Sequence, residues 1–291
     1  MSKVYLNGQY VPREQACVPV TDRGLLFADS VYEVIPAFGG VPLRAEQHLA
    51  RLQRSLEAIR LANPLSTEQW LAVLGRLCEE SPGQDLSIYL QVTRGAYDKR
   101  AHRIPEQVTP NVIAFASPIG ERDPRIASEG IKAITLPDIR WLHCDLKTTN
   151  LLPNVLAQAQ AAEQGADDAI LVRDGQAIEG TASNLFIVLE GLLITPPDSD
   201  QLLPGITRDL VLELAQDAKV PYAQAAISED DLKQASEIWL TSSTREIAPV
   251  VQLNGEPVGD GRPGAHWQYM DQLYQAAKQR IRLQARSGET A

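Results

Sequence analysis

Lysine is scarce in this chain. There are seven against twenty arginines, and Lys147 stands in an unusual setting. It belongs to DIRWLHCDLKTTNLL (138–152), a mostly apolar stretch broken by Asp138, Arg140, His143 and Asp145. Apolar and cationic neighbours lower a lysine's pKa and free its amine to attack a carbonyl. The same spacing also suits an inert, solvated lysine at a strand end. A second stretch, AIEGTASNLFIV (177–188), sets Glu179 before Gly180 and a run of small hydroxyl and amide residues. It reads either as a carboxylate in a tight turn with amides free to bind, or as an ordinary hairpin edge. The third, LLPGITRDLVLELA (202–215), feeds a Pro-Gly turn into a helix starting near Ile206. Free amides at that start, with the Thr207 hydroxyl, suit a phosphate; a plain helix cap has the same sequence. The fourth, LTSSTREI (240–247), puts Ser242 and Ser243 at a strand end, where hydroxyls bind phosphate or cap the turn.

Other chemistries lack their residues. No GxxxxGK[ST] loop, HExxH helix, GxSxG elbow or GxGxxG turn is present. His48, His102, His143 and His266 do not pair at metal-ligand spacing, so no metal is expected. Cys17, Cys78 and Cys144 are odd in number and far apart, which fits small apolar fillers better than disulfides. A net charge of −10 argues against nucleic acid or an anionic membrane as partner. With no long apolar run and no signal-like start, the expected compartment is the cytoplasm.

The elements that must position these residues follow from periodicity. KVYLNGQYVP reads as a hairpin turning at Asn7-Gly8. Residues 44–62 form an amphipathic helix with Leu49, Leu52, Leu56 and Ile59 on one stripe, and 67–80 form a second. LSIYLQVT (86–93) and NVIAFAS (111–117) are strands. SPIGERDPR (117–125) has the composition of a linker. Beyond it come a strand near 131–136, a helix after Pro153, and hairpins turning at Asp174-Gly175 and Glu190-Gly191. A helix over 206–218 follows, then a capping box of Ser228 and Asp231. Strands at 237–242 and 249–253 and a long final helix complete the chain. The mixture lacks a strict βαβ rhythm and predicts two α+β lobes. The expected division is 1–118 for the N-terminal lobe, 119–125 for the linker and 126–291 for the C-terminal lobe.

The motifs TDRGLLFADSVYEV (21–34), HLARL (48–52), QVTRG (91–95), RAH (100–102), DIRWLHCDLKTTNLL, EGTASN (179–184), GITRD (205–209) and TSSTREI (241–247) occur together and in this order. In that combination the chain resembles the fold-type IV pyridoxal-phosphate enzymes over about residues 3–280. That group holds D-amino-acid aminotransferases, branched-chain aminotransferases and aminodeoxychorismate lyases, and the resemblance is closest to the D-amino-acid branch. It implies a two-lobed α+β fold with pyridoxal 5′-phosphate between the lobes. Lys147, in the C-terminal lobe, then matches the Schiff-base lysine and Glu179 the partner of the pyridine nitrogen. Arg51, Ile206 and Thr207 match the phosphate site, Leu203 the residue against the ring face, and Ser242 and Ser243 hydroxyls near the cofactor. Tyr32, Arg100 and His102 match a trap for the substrate carboxylate. In that family the Arg-His pair reaches in from a neighbouring subunit, which implies a homodimer with shared sites. Ala182 stands where close members carry a serine, which removes one hydroxyl. The implied activity is transamination of D-amino acids, of the D-alanine kind, with a 2-oxo acid such as 2-oxoglutarate. The alternatives are a branched-chain L-amino-acid or (R)-amine aminotransferase, a lyase of the same fold, or a non-catalytic cofactor-binding protein.

Overall fold

A computed structural model describes residues 3–287. The chain divides into two compact units. The first takes residues up to Gly120, Leu146–Asn150 and the stretch from Lys278; the second takes Glu121–Asp145 and Leu151–Ala277.

The first unit contains β1 (Lys3–Leu6), β2 (Gln9–Pro12), α1 (Arg23–Phe27), β3 (Ser30–Phe38), β4 (Val41–Pro42), α2 (Ala45–Ala58), α3 (Thr67–Glu79), β5 (Leu86–Thr93) and β6 (Asn111–Pro118). The strands form one antiparallel sheet in the order β2-β1-β6-β5-β3-β4. Asn7 and Gly8 both take positive φ, so the first hairpin turns with the twist of its strands. Alternation along β3 and β5 defines the sheet's faces. Val31, Ile35, Ile88, Leu90 and Val92 are buried among Leu52 and Leu56 of α2 and Leu74 of α3. Tyr32, Val34, Tyr89 and Gln91 occupy the other, half-exposed face.

The second unit contains α4 (Pro124–Ser128), β7 (Ile131–Pro137), α5 (Leu152–Glu163), β8 (Asp168–Arg173), β9 (Gln176–Gly180), β10 (Asn184–Leu189), β11 (Leu192–Thr195), α6 (Ile206–Asp217), β12 (Tyr222–Gln224), β13 (Ile227–Ser228), α7 (Glu229–Gln234), β14 (Glu237–Ser242), β15 (Glu246–Leu253) and β16 (Glu256–Pro257). The final helix, α8 (Ala265–Ser287), begins here and runs into the first unit's residues at Lys278. The sheet runs β10-β14-β15-β7-β8-β9, and β9 returns to β10 through the pair Glu179–Asn184. Those six strands therefore close a ring around Ile170, Leu185, Ile187, Ile238, Leu240 and Val250. No helix among the described residues is long and apolar enough to cross a membrane.

Two features differ from the sequence expectation. β3 was not among the expected strands, because a buried glutamate interrupts its apolar pattern. The continuous lobe 126–291 is also divided. Leu146–Asn150 belongs with the first unit because β4 pairs only with Ala37 and Phe38, which leaves the Ser30–Tyr32 edge of β3 open. There the Tyr32 amide donates to the Lys147 carbonyl at 2.9 Å and the Thr149 amide to the Ser30 carbonyl at 3.2 Å. Lys278 lies 4.5 Å over the Phe38 ring and Arg282 pairs with Asp85, which accounts for the end of α8. The unit boundary at Gly120 falls inside the expected 119–125 linker.

Glu33, the interrupting residue, is fully buried and faces α2. Arg51 donates to it through Nε and Nη2, both at 2.8 Å, and His48 Nδ1 lies 2.7 Å from Oε2. Burial opposes the Glu33 charge, but Arg51 and His48 outweigh it and hold its carboxyl far below the glutamate range. Burial keeps His48 below its ordinary pKa despite Glu33. Removing one partner of such a buried pair strands the other charge, at about 3–5 kcal/mol. Glu33→Ala is expected to lower stability by that amount in urea unfolding. A histidine held neutral binds fewer protons folded than unfolded, so its contribution falls as pH drops below about 6.5. Between pH 7.5 and 5.5 the unfolding midpoint of the native chain should fall more steeply than that of His48→Gln. Parallel slopes would show that His48 titrates alike in both states.

Candidate active site

The strip 147–149 lies along the edge of β3, and Lys147 Nζ sits 4.3 Å from the centroid of the Tyr32 ring. Among the described residues no hydrogen-bond acceptor or carboxylate engages this half-buried amine. The Lys147 amide donates to Ser55 Oγ on α2 at 3.4 Å, one turn beyond Arg51. Tyr32 stacks on Tyr89 with ring centroids 5.7 Å apart. The first unit thus brings Lys147 and Tyr32 into contact, holds Arg51 on Glu33, and ties the Lys147 backbone to the same helix that carries Arg51.

Arg100 and His102 occupy a separate place in this unit. Both are exposed, and both pack on Phe27 of α1, with the guanidinium 5.1 Å from its centroid and the imidazole 5.4 Å away. Arg23 fixes the loop by donating to the Ala101 carbonyl at 2.6 Å. Among the described residues no direct contact joins this pair to Tyr32 of the same chain.

In the second unit the site is built on the ring's closing pair. Glu179 Oε2 accepts from Asn184 Nδ2 at 3.1 Å and from the Leu203 amide at 3.2 Å, while Oε1 accepts from Arg140 Nη1. Asn184 also donates to the Leu203 carbonyl at 2.8 Å, which ties the 203–205 turn to the barrel. A side chain at Gly205 would place its Cβ 1.8 Å from Asn184 Oδ1, so glycine is required there. Gly205 is the N-cap of α6 and supplies no side-chain cap, which leaves the first amides of Ile206 and Thr207 uncapped by it. Helix N-termini of this kind favour anions. Burial, the largest influence, pushes the Glu179 carboxyl up, against the pull of Arg140 and the Leu203 amide.

Arg140 joins this cluster through Glu179, and the sequence marked it only as a break in an apolar stretch. It donates to Asp138 from Nε and Nη2, each at 2.9 Å, and Arg173 Nη2 lies 2.9 Å from Asp138 Oδ2. Burial pushes the Asp138 carboxyl up, but the two guanidiniums leave it below its usual range. Asp138, Arg140 and Arg173 do not read as a cluster in the sequence, because β7 and β8 must pair before their ends meet. Ser242 Oγ accepts from the Arg245 amide at 3.2 Å and stabilises the turn between β14 and β15. Ser243 lies in the same turn. Arg245 reaches Asp168 at 2.6 Å, and Asp168 accepts from Thr181 Oγ1 at 2.6 Å, so the hydroxyl beside Glu179 serves the framework. Ala182 is exposed between them.

The family profile described as amino-transferase class IV matches residues 30–253. The D-alanine aminotransferase of Bacillus licheniformis is 37% identical over 262 residues, which cover 90% of this chain and 92% of that one. Its counterpart from Listeria monocytogenes is 38% identical over 263 residues, with 90% and 91% covered. Among solved structures, an Escherichia coli branched-chain amino acid aminotransferase matches with a TM-score of 0.87 at 26% identity, over 94% of this chain and 93% of that one. The branched-chain aminotransferase of Thermoproteus uzoniensis, solved with norvaline, gives 0.86 at 27% identity over 96% and 95%. The α+β, fold-type IV expectation holds against these structures. With its profile match and relatives above 30% identity along nine-tenths of its length, this chain belongs to the class IV aminotransferases.

Proposed function

We propose that this protein is a transaminase that moves an amino group between D-amino acids, D-alanine among them, and a 2-oxo acid such as 2-oxoglutarate, in the cytoplasm. The observation that carries the reading is the donor set around Glu179. A carboxylate offers about four lone-pair sites. Arg140, Asn184 and the Leu203 amide use three among the described residues, which leaves one on Oε1. A protonated ring nitrogen suits that position. The start of α6, which has no side-chain cap from Gly205, suits a phosphate, and the Lys147 amine, which has no hydrogen-bond acceptor among the described residues, suits a carbonyl, so the residues fit pyridoxal 5′-phosphate. The identity to D-alanine aminotransferases exceeds that to the branched-chain structures, and this supports D-substrates over the branched-chain L-amino acids.

When bound, the cofactor supplies an aldehyde that condenses with amines and a ring that draws electrons from the substrate Cα. Lys147 would hold it at rest through Nζ. As a free amine, its Nζ would act as general base toward the substrate Cα proton. Glu179 holds the ring nitrogen's proton. Arg51 and the Ile206 and Thr207 amides would hold the phosphate, Leu203 would contact the ring, and the Ser242 and Ser243 hydroxyls would serve as further cofactor contacts. Tyr32 binds the substrate carboxylate together with Arg100 and His102 of a second copy, in keeping with their exposure and their separation from Tyr32 within one chain.

A panel of D- and L-amino acids with pyruvate or 2-oxoglutarate tests the substrate class. D-alanine should turn over, and L-leucine should react far more slowly. Faster turnover of L-leucine would assign the branched-chain activity instead. Glu179→Gln should lose more than tenfold in turnover, in line with a charge-assisted bond of roughly 1.5–3 kcal/mol, and lose little cofactor affinity. An unchanged rate would remove Glu179 from the mechanism. Arg100→Ala should weaken α-carboxylate substrates tenfold or more on the same scale and spare amines without a carboxylate. Mixing inactive Lys147→Ala chains with Arg100→Ala chains should restore activity in hybrids, since one site then keeps both residues. Proven subunit exchange without rescue would confine the trap to a single chain.

A further inference from the structure

Arg173, Asp138, Arg140 and Glu179 form a buried row of alternating charge, two guanidiniums and two carboxylates. The side chains are 11%, 0%, 8% and 6% exposed, in that order. Each touches the next. Arg173 meets Asp138 at 2.9 Å, Asp138 takes the Nε and Nη2 edge of Arg140, and Arg140 gives Nη1 to Glu179. The Gln201 carbonyl accepts a further Arg140 proton at 3.2 Å, and the Arg140 amide donates to Asp138 at 3.0 Å. Arg173 is anchored in turn on the Arg140 and Trp141 carbonyls, each at 3.3 Å. The other groups on Glu179 are the uncharged Asn184 amide and the Leu203 N–H.

In this row we infer that Asp138 and Arg173 are positioning residues that set, through Arg140, how strongly Glu179 attracts a proton from the ring nitrogen it faces. Glu179 lies one guanidinium away from Asp138 and two links away from Arg173, inside a region with little solvent to screen charge. Arg140 alone would draw negative charge away from the ring. Asp138 divides the guanidinium between two carboxylates and restores that charge. Arg173 draws on Asp138 and trims the restoration. The sign therefore alternates along the row. Loss of Asp138 makes Glu179 a weaker acceptor, and loss of Arg173 makes it a stronger one. A purely structural role has no such alternation, since removal of either residue would only loosen the turn after β7.

This inference rests on the proposed contact between Glu179 and the cofactor ring, so the test includes a control for it. The protein is loaded with pyridoxal 5′-phosphate labelled with 15N in the ring, and the 15N-coupled N–H proton is observed by NMR. A stronger acceptor moves that proton downfield. The resonance should shift upfield in Asp138→Asn, downfield in Arg173→Gln, and lie between the two in the double variant. Shifts of the same sign in both single variants, or none in either, overturn the inference. If Asp138→Asn does not fold, the direction in Arg173→Gln decides alone: downfield supports the row, while no shift or an upfield shift overturns it. Glu179→Gln is the control. If it leaves the resonance in place, the contact itself is wrong; if it moves the resonance while Asp138→Asn and Arg173→Gln do not, only the row fails.

Discussion

The second unit's chemistry depends on where its sheet closes. Six strands form a ring only because β9 meets β10 at Glu179 and Asn184. The closing pair therefore carries both a buried carboxylate and the amide that orients it. Taking a charge out of water is costly unless donors replace the solvent. Here Arg140, Asn184 and the Leu203 amide replace it, and each comes from a different segment. The carboxylate is thereby fixed to the barrel, the loop after β7 and the turn before α6. The start of α6 takes its position from the same group, because Asn184 bonds Leu203 and packs against Gly205.

The first unit solves a related problem at the edge of its sheet. β4 is too short to cover β3, and the exposed edge accepts the strip carrying Lys147. The lysine's backbone is tied down while its amine stays over the Tyr32 ring. Behind the same strand, Glu33 holds Arg51 and His48 in the core. Successive residues of β3, Tyr32 and Glu33, thus serve opposite faces of the strand, one against the Lys147 amine and one against α2.

Much of this was legible in the sequence where the signal is local. Hairpins at Asn7-Gly8, Asp174-Gly175 and Glu190-Gly191 formed as read; both residues of each pair take positive φ, at low cost for the glycines, Asn7 and Asp174. The Leu49, Leu52 and Leu56 stripe and the Ser228–Asp231 capping box are equally local. The family followed from the order of its motifs. What stayed hidden is non-local. β3 was obscured by Glu33, whose partners lie on a helix fifteen and eighteen residues away. The placement of Lys147 with the first unit depends on an open strand edge that periodicity does not reveal. Arg140 looked like an interruption because its distant partner, Glu179, reaches it only after β7, β8 and β9 have paired.

The central claim is that Lys147 is the amine that joins the cofactor. Reduction of the holoenzyme with borohydride, followed by proteolysis and mass spectrometry, tests it directly. The account predicts a single phosphopyridoxyl-modified peptide containing DLKTTN, with the added mass on Lys147. Modification of any of the other six lysines, or no stable adduct in a protein that has bound the cofactor, would contradict it.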